Sequence, residues 1–152
     1  MAKCRAQWNC APPPQLGPRA LLPALIDLVK RAVTECARAC PEPTLRAQLV
    51  ESAAALARAV LHEAAPLQRL PHARGVYERM RRDLIMPFVE EGSTERALAL
   101  ADTFRDYELL VQLCVEHAGV QLLQDYIDKY EHEGMAEIAY SWLVTRGGRQ
   151  AA

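Results

Sequence analysis

The stretch DYELLVQLCVEH, Asp106 to His117, decides how this chain reads. It sets a cysteine and a histidine three residues apart, and on an α-helix that spacing puts Cys114 and His117 on one face. A Cys–His dyad needs an imidazole that lowers the thiol pKa and nearby oxyanion donors. No glycine-rich turn adjoins the stretch to supply such donors. The faces of the helix point elsewhere. Glu108, Gln112 and Glu116 recur every fourth residue as one narrow polar stripe. Tyr107, Leu109, Leu110, Val111, Leu113, Cys114 and Val115 fill the rest of the circumference. A helix apolar over most of its surface is covered on several sides, by neighbouring helices, a partner, or both. His117, close to its end, interacts favourably with the helix dipole when protonated.

Outward from this segment every element reads as helix. Leu22, Ile26, Val29, Val33, Cys36 and Cys40 step by four and three, predicting a helix over about 20–40, with its cysteines as small buried hydrophobes. Leu45, Leu49, Leu56 and Val60, with Ala53, mark a second helix ending near Pro66. Val76, Met80, Leu84 and Phe88 mark a third, which Pro87 is expected to kink or end near its last turn. Ser93 or Thr94 is placed to cap a fourth, and Asp106 to cap the fifth over 107–117. A sixth closes at Gly134 and a seventh is expected to close at Gly147 and Gly148. No strand-like alternation of any length occurs. The fold class is all-α: about seven helices, the last four as short pairs that cannot bury an apolar face alone, which is the logic of an irregular α-solenoid.

Composition agrees. The chain has 152 residues, 51% hydrophobic and 6% aromatic, enough for a core of its own and rich in helix formers. Residues 1–19, with Pro12, Pro13, Pro14 and Pro18, read as a Pro-rich flexible or extended lead, 20–149 as the helical segment and 150–152 as a tail. That lead has no apolar signal-peptide core. The chain's first acid is Asp27, one trait of a transit peptide, but the lead lacks serine and its proline run breaks an amphipathic helix. Five cysteines, of odd number, point to reduced thiols. No apolar run reaches the ~18 residues of a membrane span.

Charge is uneven although the net is only −1. Between Arg58 and Arg82 six arginines face two glutamates, and between Glu90 and Glu137 twelve acids face three bases. ERMRR at 78–82 has no interleaved aromatics, so a solvated face is expected rather than a nucleic-acid contact. A zinc site would have to draw on Cys4 and Cys10, or Cys36 and Cys40, whose spacings do not suit one. Trp142 continues the stripe Met135, Ile138 as a core anchor, and Tyr126 and Tyr130 are expected to half-bury with wet hydroxyls. No P-loop, G-x-S-x-G, H-E-x-x-H or Rossmann glycine pattern occurs, so no enzyme activity, cofactor or metal is expected.

YERMRRDLIMPFVEEGSTERALALADTFRDYELLVQLCVEH (77–117), followed by LLQDYIDKYEHEGMAEIAYSWLVTRGGR (122–149), resembles the C-terminal helical region of the nucleoporin 133 family. The likeness lies in the order of features. These are a helix ending LIMP; the pattern Ala97, Leu100, Ala101, Phe104; then DYELLVQLC; a tyrosine-bearing helix; and a tryptophan element ending in a basic glycine turn. It covers about residues 76–149 well. The resemblance implies a non-enzymatic scaffold piece of the nuclear pore complex at the nuclear envelope, serving messenger-RNA export and protein transport. It further implies docking to another scaffold nucleoporin, of the nucleoporin 107 type, with Leu110, Leu113, Cys114 and His117 as the face for that partner. Members of the family are longer, with a β-propeller and further helices, so the chain is expected to be a piece of something larger, with apolar surface exposed at its C-terminal end. A generic helical-repeat adaptor of cytosolic trafficking is the alternative.

Overall fold

The computed structural model describes residues 18–150, and side chains over 21–146. Residues 1–17 of the Pro-rich lead, with Cys4 and Cys10, lie outside the described residues, as do 151–152. Pro18 opens the first helix, a position where its missing N–H costs no hydrogen bond.

All regular structure among the described residues is helical. Helix α1 runs Pro18–Arg31 and continues through a wide π turn, Ala32–Cys36, into Ala37–Ala39. Helix α2 is Pro43–Ala64, followed by a 3₁₀ turn, Ala65–Arg69. Helix α3 is Arg74–Glu91, α4 is Thr94–Thr103, and α5 is Tyr107–Leu113 with a π turn, Cys114–Ala118. Helix α6 is Val120–Lys129, with a 3₁₀ turn Glu131–Glu133, and α7 is Met135–Gln150. The main pairings join each helix to the next one or two along the chain: α1, α2 and α3 form a first group, α4 bridges α3 to α5, and α7 lies on α5 and α6. This arrangement is compatible with a solenoid.

One continuous core threads the pairings. Its members run from Val29 and Val33 through Val50, Ala57 and Leu61, Leu84, Ile85 and Phe88, and Leu100, Leu109 and Leu113 to Met135. At about 25 cal/mol per Å² of apolar surface removed from water, this core is the main favourable term.

Several stripes turn out to be rotated from the expected ones. In α1 the π turn adds a residue to the turn, so the buried face passes from Val33 to Ala37 and leaves Cys36 exposed. In α2 Leu45 is 51% exposed, and the inward face is mostly alanine: Ala53, Ala54, Ala57 and Ala64, with Val50, Val60 and Leu61. Small residues let α1 and α3 approach closely there. In α3 Val76 is 60% exposed while its neighbour Tyr77 is buried. Helix α3 carries on for one more turn past Pro87 to Glu91; Asp83, whose carbonyl loses its helical partner to the proline, lies on the wet side. Helix α7 does not close at Gly147 and Gly148 but runs through both, since glycine weakens a helix by only ~1 kcal/mol relative to alanine. Trp142 is half-buried, its ring covered by Arg146 at 5.4 Å.

The caps follow the sequence more closely. Ser93 occupies the N-cap position of α4, although its hydroxyl donates to the Glu91 carboxylate rather than accepting from the helix. Asp106 caps α5 as expected, its Oδ1 accepting from the Leu109 N–H at 3.3 Å. Arginines cap the opposite ends: Arg46 donates to the Cys40 carbonyl at 2.8 Å and Arg38 to that of Glu90 at 3.2 Å.

Candidate partner-docking surface

Helix α5 is set in place by the corner that precedes it. Helix α4 ends as the Asp106 N–H bonds back to the Ala101 carbonyl at 2.9 Å, which puts Arg105 in the left-handed region, φ 56°. Glycine is usual in that position; here an arginine takes the backbone strain. Its side chain pairs with Glu133 at 2.7 Å. Behind the corner, Arg81 of α3 reaches across. It donates to the Phe104 carbonyl at 3.0 Å, its Nε lies 3.4 Å from Asp106 Oδ2, and its guanidinium stacks 5.5 Å above the Tyr77 ring. Arg81 and Asp106 are both buried, so each depends on the other for its charge. Arg82, on the rim, adds 3.6 Å approaches to Asp106 and Glu108. The solvated face expected of ERMRR therefore holds for Arg79 and Arg82 but not for Arg81. Its spacing from Tyr77, Leu84 and Ile85 on the buried face was the available signal.

The four residues assigned to a partner face separate into two groups. Leu110, Leu113 and Cys114 are 0% exposed, packed in the chain's own core, whereas the His117 side chain is 44% exposed. The reason is the π turn that begins at Cys114. With i→i+5 bonding, three residues make a smaller fraction of a turn, so His117 swings away from the Cys114 side. Burial pushes the Cys114 thiol up to about 11, the opposite of what a nucleophilic cysteine requires. The polar stripe stands where expected: Glu108 and Glu116 are exposed, and Gln112 donates to Glu116 at 3.3 Å.

A polar clasp, not foreseen from the sequence, joins the end of α6 to the α4–α5 corner. Lys129 Nζ pairs with Asp102 at 2.9 Å, and the Tyr130 hydroxyl donates to Asp102 Oδ1 at 2.6 Å, so that hydroxyl is bonded rather than wet. The Tyr107 hydroxyl donates to Glu133, and the rings of Tyr107 and Tyr130 meet at 5.2 Å. Burial first, then the hydrogen bond to Glu133 and its charge, push the Tyr107 hydroxyl up to about 12. The fold thus holds the protonated phenol. Its contribution is complete below the ordinary value of 10.0 and fades as pH climbs from there towards about 12. Urea midpoints measured across that window should fall more for the wild type than for Tyr107→Phe; equal slopes would remove the role.

Beyond the clasp, apolar side chains face solvent on the C-terminal helices: Val115, Val120, Tyr140, Leu143 and Val144. Among the described residues no helix is long and apolar enough to cross a membrane, and no three metal-ligating side chains converge.

This helical chain is 27% identical to nuclear pore complex protein Nup133 of Danio rerio across 95% of its length. It is also 27% identical to human Nup133 over 48% of the chain and 32% identical to Drosophila melanogaster Nup133 over 43%. The chain is Nup133-like. It spans 14% of the length of the zebrafish protein, and its matched part spans 6% of the human and fly proteins. No family model matches, and no solved structure does. The Nup133-like assignment fits the all-helical core and the succession LIMP, Ala97–Phe104, DYELLVQLC, whose apolar members are interior.

Proposed function

We propose that this Nup133-like chain is a non-enzymatic scaffold segment of the nuclear pore complex at the nuclear envelope, contributing to messenger-RNA export and protein import. The similarity to a nuclear pore protein along 95% of the chain is the observation that supports the reading. Its mechanism is mechanical: helices stacked in sequence order present partner surfaces without a reaction centre. The partner is another scaffold nucleoporin, of the nucleoporin 107 type. Leu110, Leu113 and Cys114 hold α5 from within, and His117 meets the partner at its exposed end, beside Val115 and Val120 in sequence.

Expressed with a fluorescent tag, the chain should mark the nuclear rim, and the tagged chain should retain a nucleoporin 107-type protein in pull-down. His117→Glu should weaken that retention several-fold while leaving far-UV circular dichroism unchanged, as a surface substitution does. Vesicular staining would instead favour a trafficking adaptor. Undiminished retention by His117→Glu would take this residue out of the interface.

A further inference from the structure

We propose that α6 is a hinged strap over the π turn that holds Cys114, closed by the Asp102–Lys129–Tyr130 and Arg105–Glu133–Tyr107 clasp and opening locally when that clasp is released. Three observations carry it. Glycines in the left-handed half of backbone space bracket the segment: Gly119 at φ 100° and Gly134 at φ 78°. Such positions mark abrupt changes of direction where no helix hydrogen-bond ladder continues. The body of the strap is lightly anchored. Leu123 is its one buried residue, with Leu122, Tyr126 and Ile127 half-buried, whereas α5 buries Leu109, Leu110, Val111 and Leu113 in seven residues. Its far end is held by polar groups that remain in contact with water: Lys129 is 54% and Arg105 59% exposed. Ion pairs of that kind are individually weak and are screened by salt.

The strap's near end hangs from the π turn, where the Gly119 N–H bonds the Cys114 carbonyl at 2.7 Å. Helix α6 packs against the π turn, Cys114–Ala118, in which this thiol lies. Opening the strap therefore uncovers a thiol that is 0% exposed when it is closed. Segments with few buried contacts open locally, at a fraction of the free energy of global unfolding. This inference does not rest on the pore reading, because the thiol itself reports the motion.

Thiol labelling of the full chain with a small maleimide, resolved residue by residue by peptide mass spectrometry, tests it. The double substitution Asp102→Ala/Glu133→Ala should label Cys114 about fivefold faster or more, the size expected from removing weak pairs. Salt of about 1 M should speed the wild type in the same direction. Cys36, already exposed, should label at an unchanged rate and serves as the internal reference. As a second measurement, wild-type Cys114 labelling at low urea should depend on urea far more weakly than global unfolding does. Labelling that tracks global unfolding from the start, or a double variant that labels no faster, overturns the strap.

Discussion

Leu113→Glu is expected to abolish the folded state. Leu113 is 0% exposed, within the continuous core. Truncating such a leucine alone costs about 2–5 kcal/mol. A glutamate must in addition bring a carboxylate into the interior, at several further kcal/mol. A domain of this size has ~5–15 kcal/mol of stability in all, so the two losses together consume most or all of it. Circular dichroism should show helicity collapsing, and any loss of partner binding would follow from unfolding. The same holds for Leu110→Glu. Retained helicity with an unchanged urea midpoint would mean that α5 does not pack as described.

The second large effect is at the corner. Asp106→Ala removes an N-cap, worth ~1 kcal/mol, and strips a buried guanidinium of its carboxylate, worth about 3–5 kcal/mol. Asp106 is 3% exposed and Arg81 8%, so water repairs little of this. The urea midpoint should fall by the equivalent of roughly 4 kcal/mol without a change in slope. Arg81→Met combined with Asp106→Asn should recover part of the loss, since asparagine keeps the cap and no lone charge is left inside. The Phe104 carbonyl, which still loses its Arg81 donor, sets the limit of the recovery. A double variant as unstable as Asp106→Ala would show that the pair matters for more than mutual charge neutralisation.

Helix positions were legible because they depend on local rules. A 3.6-residue repeat, an aspartate before a helix and glycine at its end are each readable within one turn, and Asp106 caps α5 as its place in the sequence implies. The inward faces were less legible wherever the repeat is broken. Neither π turn has a sequence signature, yet each shifts the register, exposing Cys36 in α1 and separating Cys114 from His117 in α5. The alanine face of α2 was hidden for another reason: small residues carry little hydrophobic signal, although close packing prefers them.

The candidate site shows the same division. From the sequence, DYELLVQLCVEH is a helix with one wet stripe, and what covers its remaining sides stays open. The structure answers with α4, α7 and the core for Leu110, Leu113 and Cys114, and leaves His117 in water. What Arg81 meets, and the Lys129–Asp102 and Arg105–Glu133 pairs of the clasp, were beyond any local reading, because the partners lie 23 to 28 residues away. Periodicity and capping act within a few residues, so the sequence alone determined the helices and their order. Which side chains are interior, and which charges meet, follows from how those helices stack over long sequence distances, and only the tertiary structure decided that.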